Sequence, residues 1–267
     1  MSGKLLARRA KQRRDARLGL ITTSVILLSV VGAYEVATDL GHLLDPLLFP
    51  GLSKTIPAIG PSLPKLLKGL ESSVALLIPS YLLALTLGIA IGVATGMHRT
   101  VRVALLPLFR AASPIPPTML VPYAIAILPT FWLSSAFIIF AAAFWPVLMG
   151  TIHGVTLIEP RWIDNARCIG LKGWRLVQKV IMPAAMPSIF AGASMALIFG
   201  FILLTVAEMF GAKSGLGYFI QYHADFADYP KVIIGMVFLS VVIIATMAAF
   251  DRLEASMLHW TKNRWEH

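Results

Sequence analysis

Charged residues are scarce in this chain: Asp, Glu, Lys and Arg make up 13% of it, about half the share found in soluble domains. That excludes a water-facing surface of ordinary composition. Cysteine is nearly absent. The single Cys168 excludes an intrachain disulfide, and with no metal-ligand spacing around it, it reads as a buried or inert thiol. No GxxxxGK[ST] phosphate loop is present, which excludes ATP binding and hydrolysis by that route. H-E-x-x-H, G-x-S-x-G and paired-cysteine patterns are missing as well. The six histidines, His42, His98, His153, His223, His259 and His267, are scattered, mostly near the ends of apolar runs. An interfacial or solvated ring is the expected state for each. Enzymatic chemistry has no visible home, and neither a metal nor a cofactor is expected on this chain.

What the chain has instead is length of hydrophobic run, with 57% hydrophobic residues and a mean hydropathy of +0.78. A transmembrane helix needs about 20 mostly apolar residues. Six runs qualify, at 18–38, 70–97, 105–128, 134–155, 187–209 and 232–250. The expected fold is therefore all-α, a polytopic membrane protein with six transmembrane helices embedded in a lipid bilayer. The first run is longer than the apolar region of about 7–15 residues in a cleavable signal peptide and lacks a small-x-small cleavage site, so it reads as an anchor that stays.

The net charge of +10 reflects topology rather than nucleic-acid binding, because the basic residues sit in the gaps between apolar runs. Alternating the six spans places the N-terminal tail, 98–104, 156–186 and the C-terminal tail on one side. That side holds 18 of the 23 Lys and Arg, with Arg110 counted there. The positive-inside bias makes it cytoplasmic, with both termini inside. The outer connection 39–69 contains Pro46, Pro50, Pro57, Pro61 and Pro64. It reads as an irregular external segment with at most a short interfacial helix near Lys65 to Leu70. Pro79 is expected to kink the second span or mark a later start. The organisation expected is a basic tail over 1–17, a first span with its proline-rich segment over 18–68, a core over 69–257 containing the loop 156–186, and a tail over 258–267.

Five features stand out as candidates for function. Gly88, Gly92 and Gly96 recur every fourth residue, a smooth helix face suited to close packing against a neighbouring span. In Ser113-Pro114-Ile115-Pro116-Pro117-Thr118, three prolines in four positions either break a helix beside a water-filled pathway or start a new one. Glu208 is the only carboxylate between Asp164 and Asp225. An ionisable group there is a candidate for the pathway, though one near the membrane boundary is equally read as solvated or salt-bridged. The turn 211–217 is rich in glycine but precedes no clear helix start, a weak anion signal. Finally, IDNARCIGLKGWRLVQKVIMPAAMP runs from Ile163 to Pro187. It reads as two short helical pieces interrupted by Gly173, with Pro183 and Pro187 at the entrance to the fifth span. That pattern describes a docking element, too polar to insert and too ordered for a linker.

These residues resemble the cytoplasmic signature of the inner-membrane permeases of binding-protein-dependent ABC importers: E-A-A, three residues, G, nine residues, I-x-L-P. Asp164, Asn165 and Ala166 stand at E-A-A, Gly170 at the glycine, Val180 at the isoleucine, and Met182 and Pro183 at L-P. Spacing is intact, with Asp for Glu and Asn for Ala. SPIPPTMLVP and AEMFGAKSGLGYFI are similar to segments of the nitrate/sulfonate/taurine branch. The resemblance implies a type I ABC importer permease fold and a subunit paired with itself or a related permease. It further implies a cytoplasmic ATPase dimer that carries ATP and Mg, and an external or periplasmic substrate-binding protein. The loop would be the coupling helix seated in an ATPase groove. Ser113, Pro114, Pro116, Pro117, Thr118 and Glu208 are the residues expected along the pathway. The implied location is the bacterial cytoplasmic membrane, and the implied cargo a small anion such as a sulfonate, taurine or nitrate. Alternatives are another small organic solute such as a thiamine precursor, an ion-coupled secondary carrier, and a membrane scaffold.

Overall fold

The computed structural model describes residues 18–260 except 20, 27 and 42. The basic tail 1–17, His42 and residues 261–267 with His267 lie outside the described residues. Every regular element among those described is helical, and contacts divide the chain into two compact units, 1–62 with 223–234 and 63–222 with 235–267.

In the first unit, α1 (Ile21–Asp39) ends in a π-helical turn, Val36–Leu40, and the chain turns back into α2 (Leu52–Met97). The turn is closed by the end of α1. The Glu35 carboxylate accepts from the Leu52 N–H at 3.1 Å, and the Tyr34 hydroxyl donates to the Pro50 carbonyl at 2.9 Å. A carboxylate at a helix N-terminus satisfies an orphan donor and meets the positive end of the helix dipole. The other stretch of this unit turns the end of α9 (Leu216–Asp225) into the start of α10 (Tyr229–Met257). The Asp228 N–H returns to the His223 carbonyl at 2.9 Å and the Ala227 N–H to the Ala224 carbonyl at 3.0 Å, a Schellman pairing. Ala227 occupies its left-handed position with φ +53. Asp228 lies 3.3 Å from His223 Nδ1 and 2.5 Å from Lys231 Nζ. Burial pushes the Asp228 carboxyl up, but the hydrogen bond and charge of Lys231, with His223, hold it below the usual carboxylate range. His223 is thus buried against a carboxylate rather than solvated as expected.

The expected irregular segment 39–69 is corrected at its second half: α2 is one helix of 46 residues. Its four prolines explain how. Pro57, Pro61, Pro64 and Pro79 all fall within about 60° of one another around a 3.6-residue helix, and all four are exposed. Their missing N–H groups and displaced carbonyls share one outer stripe, while the remaining ladder is intact. The opposite stripe carries the buried Ser62, Leu66, Ser73 and Ser80. Pro79 therefore neither starts nor ends the span, and the boundary expected at 68/69 falls inside a helix.

The second unit is built around α5 (Phe131–Thr156) and α8 (Met182–Met209). The most apolar windows of their spans are each 56% buried within the chain, against 28% for α2 and 11% for α10. Ala84 of α2, Ala143 and Val147 of α5 and Ala196 of α8 meet at full burial. Glycine makes this possible. A Cβ at Gly88, Gly92 or Gly96 would stand 2.8, 2.6 or 2.7 Å from side-chain atoms of Val147, Thr151 and Val155. A second set, Gly150, Gly154 and Gly192, brings the α5 and α8 backbones together, with a Cβ at Gly192 only 2.6 Å from the Pro146 carbonyl oxygen. The C-terminal end of α2 is closed by Arg102 of α3 (Arg99–Ala112), which donates to the Gly96 carbonyl at 2.8 Å.

The third span is broken as well as shifted. After α3 a 3-10 turn, Pro117–Leu120, leads into α4 (Val121–Ile127), and the two halves meet at 81°. Among the described residues five helices are long and apolar enough to cross a membrane, and six if this bent pair is one span. The fifth span also begins earlier than its prolines imply. From α7 (Gly173–Leu176) through a π-turn at Val177–Ile181 into α8 the helix is continuous. The wide turn sits where Pro183 would otherwise collide with the preceding carbonyls.

Three substitutions test this fold. Gly92→Leu should lower the unfolding temperature of the detergent-purified chain by several degrees, overpacking costing about 1–3 kcal/mol. Gly60→Ala, with nothing within 4 Å of the added carbon, should leave it within a degree or two. Ala227→Gly should raise the same temperature, relieving about 1 kcal/mol of left-handed strain.

Candidate functional site

The signature segment folds into a hairpin. Pro160, with its preset φ, occupies the first position of α6 (Pro160–Cys168). Arg161 pairs with Glu159 and lies 5.7 Å from the Trp162 ring centroid. The helix stops at Gly170: its N–H bonds the Arg167 carbonyl and the Leu171 N–H bonds the Ala166 carbonyl, both at 3.0 Å. This is a Schellman motif with glycine at φ +85. Gly170 has nothing within 4 Å of a built Cβ, so backbone conformation, not crowding within the chain, calls for glycine. Gly173, at φ +54, then opens α7 rather than merely interrupting a helix.

The seven signature residues divide by exposure. Ala166 is buried in a cluster with Leu176, Val177, Ile181, Ala185 and Ile189, against which Val180 and Met182 pack at half-burial. Pro183 is half-buried in the first turn of α8, whereas Asp164, Asn165 and Gly170 are exposed. Asp164 makes only a 3.7 Å pair with Arg167. Trp162, Ile169 and Trp174 stand out beside them at 49%, 78% and 68% exposure. Cys168 is exposed too, on the face away from Ala166, not buried as expected. Sequence reasoning missed the true anchors of the hairpin. Val177, Ile181, Ala185 and Ile189 recur every fourth residue, and that period was the available signal.

The second feature is a cavity of about 590 Å³ in the crook of the broken span. Ser113, Pro114, Pro116, Pro117 and Thr118 all line it, facing Trp145 and Met149 of α5 and Met195 and Phe199 of α8. The two readings of the proline run coexist here. The helix breaks at Ser113, whose N–H still reaches the Phe109 carbonyl at 2.9 Å, and Pro117 starts the next turn.

Glu208 is not part of that wall. It is 2% exposed and neither solvated nor salt-bridged. Ser73 Oγ donates to its Oε1 at 2.5 Å and the Gly217 N–H to its Oε2 at 2.7 Å, while Leu216 N–H donates to Ser73 Oγ at 3.0 Å. The glycine-rich turn does lead into a helix start, that of α9, and the acceptor it receives is the chain's own Glu208 side chain. Gly215 (φ +134) and Gly217 lie so close to Glu208 that any Cβ would collide with it. Among the described residues no group of three or more His, Cys, Asp or Glu gathers as a metal site requires.

Residues 84–259 match the model of the family described as binding-protein-dependent transport system inner membrane component. The chain is 30% identical over 186 residues to the aliphatic sulfonates transport permease protein SsuC of Bacillus subtilis, covering 70% of this chain and 67% of that one. It is 28% identical over 268 residues to the taurine transport system permease protein TauC of Escherichia coli, covering 96% of each. Its fold is similar to a chain of the MetNI methionine ABC transporter solved in inward facing conformations, with TM-score 0.60 and 19% identity over 74% of this chain and 98% of that one.

Removing the Glu208 carboxylate strands buried donors of Ser73 and Gly217, at about 1–3 kcal/mol each. Glu208→Ala should therefore speed amide hydrogen exchange across Leu216–Asp225 by at least about tenfold, with exchange in α5 unchanged. Equal protection of α9 in the variant would show that the carboxylate is not its anchor.

Proposed function

We infer, from the premise that the chain belongs to the family of binding-protein-dependent transport system inner membrane components, that its hairpin and its cavity are the two ends of one transport device. The chain is a transmembrane permease subunit of an ABC importer and a multi-pass membrane protein. One observation carries the mechanism. The helix that is rooted in the hairpin cluster through Ile181 and Ala185 continues unbroken to Met195 and Phe199 on the cavity wall. A displacement of the hairpin is therefore delivered to the cavity by a rigid rod.

In this reading Asp164, Asn165, Ala166, Gly170, Val180, Met182 and Pro183 form the coupling element. Its exposed crest of Trp162, Asp164 and Ile169 seats in a groove of a cytoplasmic ATPase that holds ATP and Mg. Ala166 and its buried neighbours tie that crest to the span. ATP-driven closure of two ATPases moves two such hairpins, one on each of two permease chains, and the paired cavities open alternately to either side. Each state must be held by different contacts for ATP and cargo to bias the balance. An external binding protein delivers the solute. The excess of basic residues in the tails and the hairpin supports a cytoplasmic position for all three at the inner membrane. Catalysis resides on the ATPase partner, and a small anion of the kind that names the relatives, a sulfonate or taurine, is the cargo class from which to begin.

An ion-coupled carrier would need an ionisable group facing its pathway. The buried carboxylate Glu208 instead anchors α9. The test is reconstitution with the ATPase and binding protein in proteoliposomes. Gly170→Asp, which loads a side chain and a charge onto a left-handed residue, should cut ATP-driven uptake at least tenfold with the chain still inserted. Gly170→Ala, at about 1–2 kcal/mol of backbone strain, should fall between. Unchanged uptake and assembly in the Asp variant would remove the hairpin from the mechanism.

A further inference from the structure

We propose that the cavity beside the proline break is a solute-binding chamber selecting an organic molecule with an apolar body and one hydrogen-bond-accepting head, and that it discriminates against bare inorganic anions such as nitrate. The proposal rests on the permease reading and deepens it by naming the solute class.

The wall decides this by what it can donate. Every lining residue is uncharged. The irregular backbone that a broken helix would normally offer to an anion is largely stripped of donors, since Pro114, Pro116 and Pro117 carry no N–H. The N–H groups of Ser113 and Ile115 are taken by the Phe109 and Ala112 carbonyls at 2.9 and 3.1 Å. What remains are the hydroxyls of Ser113 and Thr118, the Thr118 N–H at the start of the 3-10 turn, and the indole N–H of Trp145. Four neutral donors suit one oxygen-bearing head group. They are a poor exchange for the full hydration shell of a small inorganic ion, whose burial among apolar atoms is unfavourable on every side.

The rest of the chamber favours a carbon skeleton. Phe199 and Trp145 supply flat faces, and Met149 and Met195 supply flexible, polarisable thioethers that adapt to irregular shapes. A volume of about 590 Å³ lies within the range of small-molecule pockets, about 300–1,000 Å³, and far exceeds what an ion of a few atoms would fill.

The experiment is isothermal titration calorimetry on the full-length chain in lipid nanodiscs, corrected with empty nanodiscs. The probes are benzenesulfonate, pentane-1-sulfonate, nitrate and bicarbonate. At least one sulfonate should bind saturably and at least about tenfold tighter than either inorganic anion. Trp145→Phe, which keeps the ring but loses a donor, should weaken that binding about tenfold. Met195→Ala, at a half-exposed position where truncation spares the core, should weaken it several-fold. Inorganic binding as tight as that of the sulfonates, no saturable sulfonate binding, or sulfonate binding indifferent to both substitutions would each overturn the proposal. ATP-driven uptake by the reconstituted complex reads the permease assignment separately. Uptake without sulfonate binding to the nanodisc chain removes the chamber and keeps the permease. Sulfonate binding without uptake or assembly does the reverse.

Discussion

Close approach of helix backbones is the constraint on which this molecule depends. Lipid tails are as apolar as leucine, so spans gain little by hiding hydrophobic surface from them and must associate by fit. Here the fit is made at Gly150 and Gly192, where α5 and α8 touch main chain to main chain, and at Gly88, Gly92 and Gly96, where α2 lies along α5. Remove those bare positions and α8 cannot keep its angle to α5. The wall that Met195 and Phe199 present to the proline break would move with it.

Proline plays three separate parts, each decided by its surroundings. On α2 four prolines share an exposed stripe, and the helix survives them. In the third span three prolines fall within four positions, so no intact stripe remains to carry the ladder, and the axis turns by 81°. In the first turn of α8 Pro183 is absorbed by the π-turn that precedes it. Residue count alone does not distinguish these outcomes; angular placement around the helix does.

That distinction marks where the sequence was readable. Long apolar runs announced the spans because period and length are local properties. The glycine ladder of α2 announced a packing face, and the Gly170 spacing announced a helix end. The extent of α2 was not legible, because the penalty of each proline was counted without asking whether the penalties coincide in direction. Glu208 was visible as unusual, yet its partners Ser73 and Gly217 sit far away in the chain or behind a turn, and only tertiary contact joins them. The α5–α8 crossing was missed for a related reason. Gly150, Gly154 and Gly192 lie on two helices, and neither contributes a ladder long enough to notice on its own.

The length of α2 has a mechanical consequence. At about 1.5 Å per residue, its 46 residues reach about 69 Å, more than twice the hydrocarbon thickness of about 30 Å. Such a rod either projects well beyond the bilayer or crosses it at a steep slant. With its fulcrum at Gly92 against Thr151, a rocking of only about 5° would sweep the Leu52 end through about 5 Å. Small adjustments at the glycine contact are thus geared up into travel of atomic-diameter scale or more at the far tip, with no hinge required along the way.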